Sequence, residues 1–132
     1  MELSEARRSL AEMGEEITRF GESLDLDALN DEIAANEDDM AQPDFWNDNV
    51  AAQKVIDANN ILKGRRDDYL NLTAGVENVE TALELLAEMP DEDMQAEMEA
   101  DLEKLAADLE SYRLAQLPVS YTHLTLPTIC SV

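Results

Sequence analysis

The sequence predicts an all-α protein, an elongated antiparallel helical bundle with coiled-coil-like hairpins. Three observations lead there. Apolar residues recur at alternating steps of three and four through most of the first 117 positions, the period of one helix stripe. Residues that break helices are scarce, with four Gly and four Pro in 132 residues, the profile of bundles rather than sheets. The stripes are also narrow, confined to a and d positions, which favours slender rods over a globule.

The first helix is written by Leu3, Ala6, Leu10, Met13, Ile17 and Phe20, spaced 3, 4, 3, 4 and 3. Gly21 is its expected stop. Asp25 is the candidate N-cap of a second helix, whose stripe is Leu26, Leu29, Ile33, Asn36 and Met40. Asn36 occupies a seam position, where a polar residue sets register at some cost in stability. Gln42-Pro43-Asp44 breaks that helix.

After Phe45 and Trp46, a long run alternates without interruption: Val55, Ala58, Leu62, Arg65, Tyr69, Leu72, Val76, Val79, Leu83 and Leu86. Only Arg65 departs from the apolar pattern. The phase survives Gly64 and Gly75, so one long helix is expected, with Gly75 a candidate bend. Met89-Pro90 ends it. Pro90 suits the first turn of a final helix, and Asp91, Glu92 and Asp93 suit the positive end of its dipole. The closing stripe is Met94, Met98, Leu102, Leu105, Leu109 and Tyr112, with the helix expected to reach Leu117. Short connections favour antiparallel neighbours. A slender core under strong self-repulsion predicts low stability in isolation.

Residues 1–117 carry every charged side chain, and 118–132 carry none. This last stretch, from Pro118 to Val132, holds the chain's single histidine, His123, and single cysteine, Cys130. A linker, a strand of another domain, a native disordered terminus or foreign sequence would each produce such a switch. Ten consecutive residues, Val119 to Thr128, resemble a translated transposase sequencing adapter, which favours a non-native tail outside the fold. The expected organisation is therefore a helical domain over 1–117 followed by an adapter-like disordered tail.

The formal net charge of −22 opposes direct nucleic-acid binding, because phosphates require clustered Lys and Arg. It opposes an anionic membrane equally. Met1-Glu2-Leu3-Ser4-Glu5 lacks the basic start and apolar centre of a signal peptide, so a cytoplasmic protein is expected; a monomer is expected as well. Without the tail there is no His or Cys for zinc, iron–sulfur or nucleophilic chemistry. Glu37-Asp38-Asp39 and Asp91-Glu92-Asp93 do not fit the calcium-loop spacing. Arg7-Arg8 and Arg65-Arg66 fit helix-surface ion pairs better than a phosphate site. No catalytic, cofactor or metal residue is nominated. The candidate partner-docking residues are Phe45 and Trp46, which sit together just after the Pro43 break. Their alternative role is a buried plug closing one end of the bundle.

The segment Ser23-Leu24-Asp25-Leu26-Asp27-Ala28-Leu29 is followed by Gln42-Pro43-Asp44-Phe45-Trp46-Asn47-Asp48 and Ala51-Ala52-Gln53-Lys54-Val55. Together they resemble the N-terminal domain of bacterial class I peptide chain release factors, in the branch that reads UAA and UGA. Pro-Asp-Phe-Trp-Asn is the most specific part, and the first five residues also resemble that family's start. The likeness covers residues 1–117 and is weaker from Lys63 onward, where mainly the heptad pattern agrees. It implies translation termination, with the ribosome as partner through its GTPase-associated region and stalk base. It also places the chemistry elsewhere: the family's codon-reading Ser-Pro-Phe and catalytic Gly-Gly-Gln have no counterpart, since the sequence contains neither Ser-Pro nor Gly-Gly. A non-enzymatic fragment ending near Leu117 is the expectation. Leu24-Asp25 matches the region where the family's genes often carry a programmed frameshift. The rival reading is a free-standing acidic helical interaction protein, either a coiled-coil dimer or a nucleic-acid mimic. A carboxylate enzyme would need a convergent buried pair.

Overall fold

A computed structural model describes residues 2–116. Four helices follow in order: α1 (Leu3–Leu24), α2 (Leu26–Met40), α3 (Asn49–Glu88) and α4 (Glu92–Ala115). A 3-10 turn, Phe45–Asn47, lies between α2 and α3. The described residues contain no strand, so the all-α bundle expected from the periodicity is the fold.

α3 is the spine. Its 40 residues extend for about 60 Å at 1.5 Å per residue. α2 packs along its N-terminal half, while α1 and α4 pack along its C-terminal half and against each other. One end of the molecule is therefore a three-helix bundle and the other a two-helix arm. The bundle holds the main core, in which Ala6, Leu10 and Ile17 meet Leu72, Val79, Leu83 and Leu86 of α3 and Met98, Leu102, Leu105, Leu109 and Tyr112 of α4. Full burial of a leucine-sized side chain contributes about 1.5–3 kcal/mol. Phe20 and Tyr112 close this core, with ring centroids 4.9 Å apart. The arm is thinner: its buried residues are Leu29, Ile33, Ala52 and Asn59.

The α1 and α4 stripes are buried or half-buried as their spacing predicts, but three local expectations need correction. Gly21 does not stop α1, which runs on to Leu24. It is instead a point of close approach, because a Cβ there would lie 2.2 Å from the Tyr69 hydroxyl. The break falls at Asp25, whose φ of 52° is left-handed; its side chain caps α2 by accepting from the Ala28 N–H at 3.3 Å. Pro90 is not in the first turn of α4 but just before its N-cap. Asp91 is that cap, accepting from the Asp93 and Met94 N–H groups at 2.9 and 3.4 Å. The expected endpoint at Leu117, and the whole of 118–132, lie outside the described residues.

The third correction concerns α3. The helix is continuous through both glycines, but no single stripe runs its length. Ala58 and Arg65 are exposed, and Asn59 is buried in Ala58's place. Asn59 and Leu72 are thirteen residues apart, about 220° around a helix of 3.6 residues per turn. α3 thus offers one face to α2 and another to α1 and α4. At Gly75 the second interface is tight, with a Cβ position 2.9 Å from Leu105 Cδ1.

Candidate functional site

The turn from α2 to α3 is built from local hydrogen bonds that follow directly from its sequence. Pro43 cannot continue α2. The Phe45 N–H donates to the Gln42 carbonyl and the Asn47 N–H to the Asp44 carbonyl, each at 3.1 Å. Gln42 Nε2 donates back to the Asp38 carbonyl at 3.3 Å. Asp48 then caps α3 by accepting from the Ala51 N–H at 3.1 Å. This short turn touches both helices of the arm.

The turn presents an aromatic pair in an edge-to-face arrangement. The Phe45 and Trp46 centroids are 5.0 Å apart with an interplanar angle of 85°, a favoured quadrupole geometry. Phe45 is half-buried, while Trp46 remains 55% exposed. The plug expectation therefore fails for Trp46. Among the described residues only α2 and α3 reach this end, and they form no bundle interior for an indole to close. Val50, in the first turn of α3, is 68% exposed and was not singled out from the sequence. Its spacing of four from Trp46 was the available signal, but a single exposed valine lies outside any core pattern.

Behind the tip lies the arm's polar seam. Asn36 Nδ2 donates to Asn59 Oδ1 at 3.2 Å, and Asn59 is 1% exposed. The seam role expected of Asn36 is thus met by a matching amide on α3. Lys63 and Glu37 form an ion pair at 3.4 Å on the adjacent surface.

Among the described residues, the ion pairs and cavities bring together no convergent catalytic group. Asp68 and Asp108 line one small cavity of about 130 Å³ with Asn71 and Tyr112. Asp108, however, already accepts from Asn71 at 3.1 Å and Lys104 at 2.9 Å. Glu16 receives the Arg113 guanidinium, which holds its carboxyl below the ordinary glutamate value, the direction opposite to that of a general acid. Burial, with Tyr69 and Asp68 nearby, pushes the Tyr112 hydroxyl up. Among the described residues no three His, Cys, Asp or Glu side chains stand together as a metal site. Nor is any helix there long and apolar enough to cross a membrane. Arg66 pairs with neighbouring Asp67, the surface role expected for it.

A long helical hairpin with a capped Pro-Asp-Phe-Trp-Asn turn defines a class rather than a reaction. Residues 29–120 match the family model of the PCRF domain, and the chain belongs to that family. It is similar to proteins named peptide chain release factor 2. The relative from Lactiplantibacillus plantarum is 50% identical over 114 residues, covering 86% of this chain and 30% of that protein. The one from Listeria innocua is 43% identical over 114 residues, covering 86% and 31%. The one from Staphylococcus epidermidis is 39% identical over 117 residues, covering 89% and 32%. The chain thus spans about a third of the length of these relatives.

Proposed function

We propose that residues 1–117 are the N-terminal helical domain of a release factor 2, serving translation termination at UAA and UGA codons in the cytoplasm. The observation that carries this reading is the 50% identity to a protein named peptide chain release factor 2. In this reading the domain binds and positions; it is not an enzyme. Codon reading and peptidyl-tRNA hydrolysis belong to segments with no counterpart in this sequence. The partner is the ribosome, at the GTPase-associated region and stalk base, and the domain is a monomer. Phe45 and Trp46 are its docking residues, an assignment supported by the exposure of Trp46 on a hydrogen-bonded turn. Residues 118–132 are a non-native appendage.

Two measurements test this. The chain should compete with full-length release factor 2 for stop-programmed ribosomes, and it should release no peptide from them. Peptide release by the chain alone would overturn the assignment of chemistry to other segments. A stable dimer in sedimentation, with no competition on ribosomes, would favour the free-standing acidic interaction protein.

A further inference from the structure

We propose that α2 is a hinged strap: it opens as a unit while the bundle of α1, α3 and α4 stays folded, and screening of its charge by salt closes it. The Phe45–Trp46 turn is fully built only in the closed form.

Three observations set α2 apart. The first is its one-sided packing. Among the described residues α2 touches α3 and the turn, barely touches α1 and does not reach α4. Its buried apolar residues, Leu29 and Ile33, lie outside the continuous core of twelve residues that joins the other three helices. They can leave α3 without opening that core, and local opening draws on such thinly packed units. The second is the joint at each end. Asp25 holds a φ of 52°, a left-handed backbone uncommon away from glycine, and Pro43 interrupts the chain after Met40.

The third is charge. Asp27, Asp31, Glu32, Glu37, Asp38 and Asp39 lie in α2, which contains no Lys or Arg. Asp27 and Asp31 stand one turn apart on the same face, and the last three crowd the negative end of the helix dipole. A helix of 15 residues with this pattern is marginal alone. Besides Leu29 and Ile33, the Asn36–Asn59 hydrogen bond at 3.2 Å and the Lys63–Glu37 ion pair at 3.4 Å hold it on α3. Both members of that ion pair are about half exposed, so the pair adds little. Salt weakens it, but salt also relieves the repulsion among the ten carboxylates of residues 20–53, a segment without Lys or Arg. The second effect is the larger, and salt closes the strap.

The aromatic turn depends on α2 being seated. The Ala41 N–H donates to the Glu37 and Asp38 carbonyls at 3.1 and 3.2 Å, and Gln42 Nε2 donates to the Asp38 carbonyl at 3.3 Å. Opening α2 removes this anchor and frees the edge-to-face Phe45–Trp46 pair.

Native-state hydrogen exchange on the full chain tests the strap. Amides at 30–40 should be protected about tenfold less, or lower still, than those at 72–86 and 98–109. Weakening the bundle should then separate the two units. Ile17→Val, at a buried position of α1, should lower protection of the bundle amides about two- to tenfold and leave that of α2 unchanged. Equal losses in both would mean that α2 opens only with the whole chain, and the proposal would be wrong. Raising NaCl from about 10 mM to about 1 M shortens the screening length from about 30 Å to about 3 Å. It should raise α2 protection by a larger factor than that of the bundle. The near-UV circular dichroism of Trp46, the only Trp in the chain, should strengthen in parallel. A fall in α2 protection with salt would overturn closure by screening, and a dichroism signal indifferent to α2 opening would overturn its control of the turn.

Discussion

Arg113, near the end of α4, grips Glu16 in the body of α1 with two hydrogen bonds, Nε to Oε2 at 2.7 Å and Nη2 to Oε1 at 2.8 Å. The fork-to-fork geometry ties together helices 97 residues apart in sequence and is the form in which a guanidinium binds a carboxylate best. Glu110 holds the same guanidinium from the preceding turn of α4.

This pair predicts a pH dependence. The Arg113 hydrogen bond lowers the Glu16 pKa in the folded chain. A lowered carboxylate pKa contributes stability above the unfolded pKa, and that contribution is lost as pH falls through the folded pKa. The melting temperature of the parent should exceed that of Glu16→Gln at neutral pH. The gap should narrow as pH falls below the ordinary glutamate range and close once pH has passed through the lowered folded pKa. Equal melting temperatures of the two chains at neutral pH would show that the pair adds nothing to stability. The other carboxylates repel one another, so added salt should raise the melting temperature of both chains.

The amide pair of buried Asn59 and half-buried Asn36 predicts an asymmetry. Asn59→Ala opens a cavity at a buried position and strips the half-buried Asn36 amide of its partner, and should cost about 1–3 kcal/mol in urea denaturation. Replacing Asn36 and Asn59 together by Leu should recover that loss or exceed it, but should loosen the α2–α3 register. Sedimentation of the double variant checks this, with higher oligomers as the expected sign.

Helical glycines should divide by what faces them. A Cβ at Gly14 meets nothing within 4 Å, so Gly14→Ala should stabilise by about 0.5–1 kcal/mol. Gly21→Ala gains the same propensity but drives its methyl into the Tyr69 hydroxyl, so it should be net destabilising by about 1 kcal/mol or more. Tyr69→Phe should recover part of that loss in the Gly21→Ala background, because the hydroxyl is the first atom met. Chemical denaturation of the four chains decides the signs.

Asp25 does two jobs, a left-handed backbone and a cap. Asp25→Ala loses both and should cost about 1–2 kcal/mol. Asp25→Gly keeps the backbone freedom alone and should cost less. Asp25→Asn keeps both and should stay within about 0.5 kcal/mol of the parent. The ranking can be read from thermal melts followed by circular dichroism; an Ala variant equal to the parent would remove Asp25 from the hinge.

Trp46 should emit like an indole in water and be quenched readily by acrylamide, a neutral quencher indifferent to the −22 charge. Strong protection of the free chain would contradict the exposed turn and reinstate the plug.

The sequence by itself determined the helices, their breaks and their family. Three-then-four spacing, the Pro43 and Pro90 interruptions and the capping aspartates are local properties, encoded within a few residues of where they act. The Phe-Trp turn was legible for the same reason. Tertiary structure alone decided which face each helix turns inward. Periodicity reports that a stripe is buried but not against what, and α3 changes neighbours partway along. Hence Asn59 displaced Ala58 from the expected seam, Gly21 became a contact with Tyr69 instead of a stop, and Arg113 found Glu16. Trp46 stayed in water because, among the described residues, only two helices reach the tip, and they leave the indole uncovered.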